Sequence, residues 1–223
     1  MCINIGGILH FSLLDYPDKI SAVLFTQGCP LRCVYCHNPE LQDPNIENNI
    51  KFDNTLDFLN KRIGLLEAVV FSGGEPLLQN DLYKAMQIVK DMGFLIGLHT
   101  SGVLYDNFIK VLPLLDWVGF DIKQVFNKYD EITQIKNSEL QIIKSFNALV
   151  NSSINYEIRT TVDTRHISYE DMVSIAKYLY NNNVKEWTLQ KCILRNNKGN
   201  INIPFLSNDE ILELGEYIKI NIR

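Results

Sequence analysis

No apolar run in the sequence approaches the ~20 residues that a bilayer-crossing helix needs, and the start, Met1 to His10, has neither the basic residues nor the apolar stretch of a secretory signal. A cytoplasmic protein with no membrane partner is therefore expected. Basic residues are also short, 21 against 26 acidic ones, a formal charge of −5. A duplex-binding protein normally carries a basic face, so nucleic acid is not the expected partner. Linkers rich in glycine, serine or proline are absent, as are repeats of solenoid period. Cysteines number only five, and an odd count does not make a disulfide framework. With 223 residues, 46% hydrophobic and 21% charged, the chain has the composition of one globular domain spanning residues 1–223.

What is present is an alternation of strand and helix. Strands are expected at 20–25, 68–71, 95–99, 117–122, 156–162 and 187–193. Helices are expected at 55–65, 82–92, 105–112, 139–150, 169–181 and 208–218. Asn80 or Asp81 can cap the second helix, and Gly93 stands where a left-handed C-terminal cap is wanted. Ser168 with Asp171, and Ser207 with Glu210, have capping-box spacing, and Pro113 should end the third helix. Such alternation implies parallel strands joined by right-handed crossovers. Along 156–162, Tyr156, Ile158, Thr160 and Val162 share one face and Glu157, Arg159 and Thr161 the other. A strand buried in a parallel sheet should be apolar on both faces. The polar face favours a wet or ligand-filled interior, hence an α/β fold of the partial (β/α)6 TIM-like barrel type, with outer helices. Residues 1–19 read as an extension, extended at 8–13 and turning at 15–18, that packs across one end of the sheet.

Three of the cysteines, Cys29, Cys33 and Cys36, crowd into eight residues directly after the first strand. In parallel α/β folds, the C-terminal ends of the strands are the functional face. Thiolates at C-x3-C-x2-C spacing can converge on one soft metal centre. An all-cysteine [4Fe–4S] cluster needs four ligands, so three local ones leave one iron open to an exogenous ligand. A structural zinc site with His37 or a distant residue as fourth ligand is the alternative, although such sites usually pair two C-x2-C knuckles. Cys2 and Cys192 are isolated and read as ordinary thiols.

The spacing is that of the radical S-adenosylmethionine (SAM) superfamily. Leu14-Asp15-Tyr16-Pro17-Asp18-Lys19, Phe25-Thr26-Gln27-Gly28-Cys29 and Tyr35-Cys36-His37-Asn38-Pro39-Glu40-Leu41 resemble the activating proteins of glycyl radical enzymes. The resemblance is closest to the activating protein of anaerobic ribonucleoside-triphosphate reductase, and it covers essentially the whole chain. It implies that Cys29, Cys33 and Cys36 hold a [4Fe–4S] cluster whose open iron is chelated by SAM. One electron then cleaves SAM to methionine and a 5′-deoxyadenosyl radical, which takes a hydrogen atom from a glycine of a partner enzyme. A flavodoxin- or ferredoxin-type protein would supply the electron.

The same resemblance assigns further SAM contacts. Gly73, Gly74 and Glu75 match a Gly-Gly-Glu motif that meets the SAM amino group; glycines permit close approach and a carboxylate suits an ammonium. Tyr35 would lie near the adenine, a residue that only packs the loop being the alternative. Asp121 and Lys123 match an Asp-x-Lys motif near the ribose or carboxylate, a rim salt bridge being the alternative. Arg159 would fork onto the SAM carboxylate, unless it is spent on Glu157 or another acid. His99 and Thr100 occupy the place where related activases have Asp-Thr, and neutral imidazole is a poor ligand for the hard cation that some relatives bind there. His99 is then either a SAM contact or a satisfied interior histidine. With no other cysteine cluster, a minimal one-cluster enzyme is expected. Two alternatives stand beside the activase: a radical SAM enzyme acting on a small molecule or RNA, such as in deazapurine synthesis, and a non-catalytic Fe–S or SAM-binding protein.

Overall fold

Ser21 to Thr26 is a short run with an unbroken apolar centre, Ala22 to Phe25, the pattern of a strand covered on both faces. In the computed structural model it is the second of ten strands among the described residues. The structure describes residues 3–48, 50–196 and 199–223; Cys2 lies outside them. In chain order the elements are β1 (Ile5–Ser12), β2 (Ser21–Thr26), α1 (Phe52–Asn60), β3 (Ala68–Gly73), α2 (Leu82–Asp91), β4 (Leu95–Thr100), α3 (Tyr105–Val111), β5 (Trp117–Asp121), α4 (Tyr129–Thr133), α5 (Ser138–Val150), β6 (Asn155–Val162), α6 (Tyr169–Asn181), β7 (Glu186–Lys191), β8 (Ile193–Asn196), β9 (Gly199–Asn202), α7 (Asn208–Gly215) and β10 (Lys219–Ile222). They fall into two compact units. The first takes in Met1–Pro30, Asn38–Gly119 and Ile154–Tyr156, the second Leu31–His37, Phe120–Ser153 and Glu157–Arg223.

In the first unit β2, β3 and β4 run parallel, with Val23 opposite Val70 and Val70 opposite Gly97. Ala22, Leu24, Val69, Phe71, Ile96 and Leu98, which alternate with those residues, are fully buried. On the opposite face Tyr16 packs with Val23, Val70 and Trp117. Gly97 makes room for it, since a Cβ there would lie 3.1 Å from the Tyr16 ring. The N-terminal segment thus differs from the expected piece packed across one end. β1 pairs antiparallel with β2 along the sheet edge, with register shifts between Ile5 and Gly7 and between Leu9 and Ser12. Those irregularities break the two-residue alternation by which a strand is recognised.

The turn after Tyr16 places Asp18 at φ 58, a left-handed conformation that glycine adopts freely and β-branched residues resist. Denaturant melts of Asp18→Gly and Asp18→Val test this. The glycine variant is expected to match or exceed the parent by up to about 0.5 kcal/mol, and the valine variant to fall about 1–2 kcal/mol below it.

In the second unit β6, β7 and β10 are parallel, Trp187 of β7 lying opposite Ile158 on one side and Ile220 on the other. Trp187 is fully buried. Its indole N–H donates to Thr160 Oγ1 at 3.0 Å, and the Thr160 hydroxyl donates to the Ile122 carbonyl at 2.6 Å. α6 begins on the expected capping box of Ser168 and Asp171, and α7 on that of Ser207 and Glu210. α6 buries Met172, Ile175, Ala176 and Leu179, the i, i+3, i+4, i+7 stripe of an amphipathic helix. Burial of each larger side chain contributes about 1.5–3 kcal/mol.

The helix expected over 208–218 ends at Gly215, and the chain continues into β10 beside β7. Glycine ends the helical run, and Lys219-Ile220-Asn221-Ile222 alternates with a period of two. α1 begins three residues earlier than expected and ends five earlier, at Asn60. Asp81 precedes α2 without capping it through its side chain, while Gly93 takes φ 94 just after the helix, as expected. Among the described residues, no helix is long and apolar enough to cross a membrane.

Candidate active site

Because β2, β3 and β4 are parallel and in register, their C-terminal ends lie together in the first unit. The chain leaves β2 through Gln27, Gly28 and Cys29, and β3 through Gly73, Gly74 and Glu75. The two exits touch backbone to backbone. The Gly74 N–H donates to Thr26 O and the Glu75 N–H to Gly28 O, both at 2.9 Å. Gly73 has φ 112, and a Cβ on it would sit 2.4 Å from the Thr26 nitrogen; one on Gly74 would sit 2.3 Å from Gly28 O. Both glycines are therefore required to bring the β3 exit against the root of the cysteine loop.

Glu75 is buried, and its carboxylate faces inward rather than toward an open shelf. One oxygen accepts from the Thr100 hydroxyl at 2.6 Å and the Leu77 N–H at 3.3 Å, the other from the Ser101 N–H at 3.0 Å and hydroxyl at 2.7 Å. The group expected to meet an ammonium thus ties the β3 exit to the β4 exit, and the Thr100 hydroxyl is committed to the same tie. Burial nevertheless pushes the Glu75 carboxyl above its ordinary value of 4.5, against the pull of those donors. A raised carboxyl stabilises the fold most when protonated in both states, and that contribution is lost as pH climbs through the folded value. Glu75→Gln turns an NH₂ toward donors, at a cost of about 1–3 kcal/mol. In urea melts of the apoprotein, the deficit of Glu75→Gln is expected to be largest below pH 4.5, where the parent carboxyl is protonated in both states, and to shrink toward neutrality.

His99, at the end of β4, is half-buried. Its Nε2 lies 2.9 Å from the Asp15 carbonyl and its Nδ1 3.3 Å from Ser72 Oγ. A carbonyl only accepts, so Nε2 carries a proton and donates to the Asp15 carbonyl. Both ring nitrogens have protein partners, the arrangement of a satisfied interior histidine that holds the 15–18 turn against β4.

The second unit gathers Cys33, Tyr35, Cys36, Asp121, Lys123 and Arg159. The Arg32 and Val34 N–H groups donate to Thr133 O and Ile132 O at 2.9 and 3.1 Å, fixing the loop on the end of α4, and the Cys36 N–H turns back to Cys33 O at 3.1 Å. Tyr35 is buried with Ile132, Cys192 and Ile203, and its hydroxyl lies 3.4 Å from the Lys123 carbonyl. Asp121 stands between two cations: Arg159 reaches it through Nε at 2.9 Å and a terminal nitrogen at 2.8 Å, and the Lys123 ammonium at 3.4 Å. Arg159 is thus held by Asp121 rather than by Glu157, which instead accepts from Thr188 at 2.6 Å and lies 3.3 Å from Arg223. Burial opposes the charge of Lys123, but Asp121, Cys33 and two tyrosines outweigh it and raise its pKa well above the ordinary range. Burial likewise raises the Cys33 thiol, with Lys123 pulling the other way.

Sequence reasoning missed two supports of these groups. Tyr129 is fully buried and accepts the Lys123 N–H at 2.9 Å, and Ser101 supplies two of the four donors to Glu75. Ser101 could have been read from its place beside Thr100, whereas nothing in the local pattern marks Tyr129.

Cys29, Cys33 and Cys36 are partly exposed and outside any disulfide, and Cys192 is buried. His37, the fourth ligand of the zinc alternative, is exposed. Among the described residues, no three His, Cys, Asp or Glu side chains are gathered as ligands of a metal ion. By chemistry alone Cys29, Cys33 and Cys36 fit a cluster held by three thiolates: they are soft donors on one loop, outside any disulfide, although the structure does not gather them.

The sequence profile of the radical SAM superfamily matches residues 23–179, running through both units. A Methanocaldococcus jannaschii protein named for glycyl-radical enzyme activation is 34% identical over 186 residues, 78% of this chain and 74% of that one. The pyruvate formate-lyase-activating enzyme of Clostridium pasteurianum is 35% identical over 127 residues, 55% of this chain and 53% of that enzyme, so the match spans about half of each. Among solved structures, Streptococcus suis SuiB bound to S-adenosylmethionine superposes with a TM-score of 0.67 at 13% identity, over 88% of this chain and 48% of SuiB. QueE from Escherichia coli superposes with a TM-score of 0.61 at 15% identity, over 99% of this chain and 93% of QueE. At such identities the likeness is one of fold, and it places the chain with the partial TIM-like barrels of mostly parallel strands and outer helices. The chain is a radical SAM enzyme that uses a [4Fe–4S] cluster and S-adenosylmethionine, and within that superfamily it belongs to the activating enzymes of glycyl radical enzymes.

Proposed function

We propose that the chain installs a glycyl radical on anaerobic ribonucleoside-triphosphate reductase, with a flavodoxin- or ferredoxin-type protein as electron donor in a reducing cytoplasm. The observation that carries the activase reading is the 34% identity to the M. jannaschii protein over three quarters of both chains. The reductase is favoured by the resemblance carried by Leu14 to Lys19 and by Tyr35 to Leu41. The bound cofactors supply one-electron reductive cleavage of SAM.

The chain's own residues hold and orient. Cys29, Cys33 and Cys36 would ligate the cluster. Gly73 and Gly74 bring main chain close to its root, and Tyr35 offers a buried aromatic face beside two of the ligands. Arg159 and Lys123 are cations suited to the SAM carboxylate, with Asp121 holding both in place.

The test is anaerobic incubation of reconstituted protein with SAM, dithionite and purified reductase, read by EPR. A glycyl radical doublet accumulating with 5′-deoxyadenosine is expected, and reduced flavodoxin should replace dithionite. 5′-Deoxyadenosine without a radical on the reductase would overturn the partner assignment; a doublet on pyruvate formate-lyase instead would reassign it.

A further inference from the structure

Gln27 precedes the first cluster cysteine by two residues and is 2% exposed. Buried carboxamides are costly unless every polar atom is used. Both N–H groups of its amide are used on one segment: Nε2 donates to Glu40 O and to Asp43 O, each at 2.9 Å. Its Oε1 accepts from Asn48 Nδ2 at 3.0 Å. Asn48 also reaches Asn4 Oδ1 at 3.2 Å, and the Asn4 N–H donates to Gln79 Oε1 at 2.8 Å. Gln79 Nε2 returns to the Gln27 carbonyl at 2.6 Å, and the Gln27 N–H donates to Asn4 O at 2.9 Å. Four side-chain amides and their main chain thus form a closed ring. A Cβ on Gly6 would lie 2.9 Å from Gln27 Oε1, so glycine leaves the space the ring occupies.

The ring joins the two ends of the loop that carries the cysteines. At the entrance, the Gly28 N–H donates to Leu41 O at 2.8 Å and the Cys29 N–H to Gln42 O at 3.0 Å. The exit segment, Glu40 to Asp43, is the one that Gln27 grips. Every side chain in the ring is neutral, so it adds no charge beside a redox centre and does not titrate. Carboxamides are also weak competitors of thiolates for iron.

We infer that Gln27 is a positioning residue for the cluster: its carboxamide latches the exit of the cysteine loop to its entrance, and this holds the cluster against loss. The inference rests on the cluster assignment to Cys29, Cys33 and Cys36. Gln27→Met keeps the length of the side chain and removes the two donors. Gln27→Glu keeps the shape and sets a carboxylate against two carbonyl oxygens.

The experiment measures bleaching of the reconstituted cluster under an iron chelator without oxygen, and the EPR spectrum of the reduced cluster before and after SAM. Lys90→Met serves as a control for a general loss of stability, since Lys90 holds Leu114 O and Asp116 elsewhere in the unit. Bleaching is expected about ten-fold faster in Gln27→Met, and faster still in Gln27→Glu, with a weakened EPR response to SAM; Lys90→Met should bleach at the parent rate. Hydrogen exchange on the apoprotein reads the latch without cofactor, and the Gly28 and Cys29 amides should exchange faster in both Gln27 variants. Asn48→Ala, which removes the donor to Gln27 Oε1 and Asn4 Oδ1 but leaves the Gln27 grip on Glu40 and Asp43, gives a weaker form of the same result if the Gln27 variants fold poorly. Parent-rate bleaching together with unchanged Gly28 and Cys29 exchange, or equal acceleration in Lys90→Met, would overturn the inference.

Discussion

Cys36→Ala is expected to abolish 5′-deoxyadenosine formation from SAM and dithionite, by at least about 100-fold, and to leave the reconstituted protein short of iron. Groups that only support metal ligands typically cost 10–100-fold when removed, so loss of a ligand sets the upper value as a floor. The Cys36 main chain is also tightly placed: its N–H closes a turn on Cys33 O at 3.1 Å, and the preceding residues are pinned by Arg32 and Val34 to the end of α4. Alanine keeps that turn, because the contact is backbone only. Folding should survive, with a melting temperature near that of the parent apoprotein, while cluster content falls. Cys192→Ala is the contrast. That thiol is buried beside Tyr35 and 3.9 Å from Asp163, and burial with the nearby carboxylate pushes its pKa to about 11. It should load iron normally. Iron analysis and 5′-deoxyadenosine yield on the two variants decide the matter, and turnover retained by Cys36→Ala would rule out the three-thiolate assignment.

The candidate ligands stand out in the sequence because covalent spacing alone brings Cys29, Cys33 and Cys36 onto one loop, and because that loop follows a strand whose apolar run is unambiguous. β3, β4 and β5 were legible for the same reason, and β6 by the alternation of its two faces. α6 and α7 announced their starts through Ser168 with Asp171 and Ser207 with Glu210. β10 was not legible, because Ile211, Leu214 and Ile218 keep helical spacing across Gly215 and the strand's partner β7 lies more than 30 residues earlier. Nor was the direction of the carboxylates. Glu75 meets donors 25 and 26 residues away, and Asp121 meets Arg159 38 residues away. The residue types at these positions fitted an ammonium and a ribose as well as they fit protein partners, and only tertiary pairing separates those roles. The amide ring around Gln27 is the extreme case: its members stand at 4, 27, 48 and 79, and no local pattern links them.

Asp121→Ala is expected to cost about 3–5 kcal/mol in stability, since it leaves the Arg159 guanidinium, 7% exposed, beside the Lys123 ammonium, 16% exposed, without their shared anion. Asp121 is itself 30% exposed, which places the expected cost toward the lower end. Lys123 has a raised pKa, so its share of the stability holds at all pH below the ordinary 10.5 and is lost only above it. The gap between parent and variant should therefore stay flat from neutral to mildly alkaline pH. Such a deficit alone does not separate a structural ion pair from a SAM contact, and a double variant does. Asp121→Ala combined with Arg159→Met removes both members of the pair and should recover most of the lost stability, because no buried charge is left uncompensated. If Arg159 also holds the SAM carboxylate, affinity for SAM measured on the reduced protein stays depressed in the double variant by about ten-fold or more, the worth of one charge-assisted hydrogen-bonded pair. Recovery of SAM affinity together with stability would make the Asp121–Arg159 pair purely structural and leave Lys123 as the cation available to the SAM carboxylate.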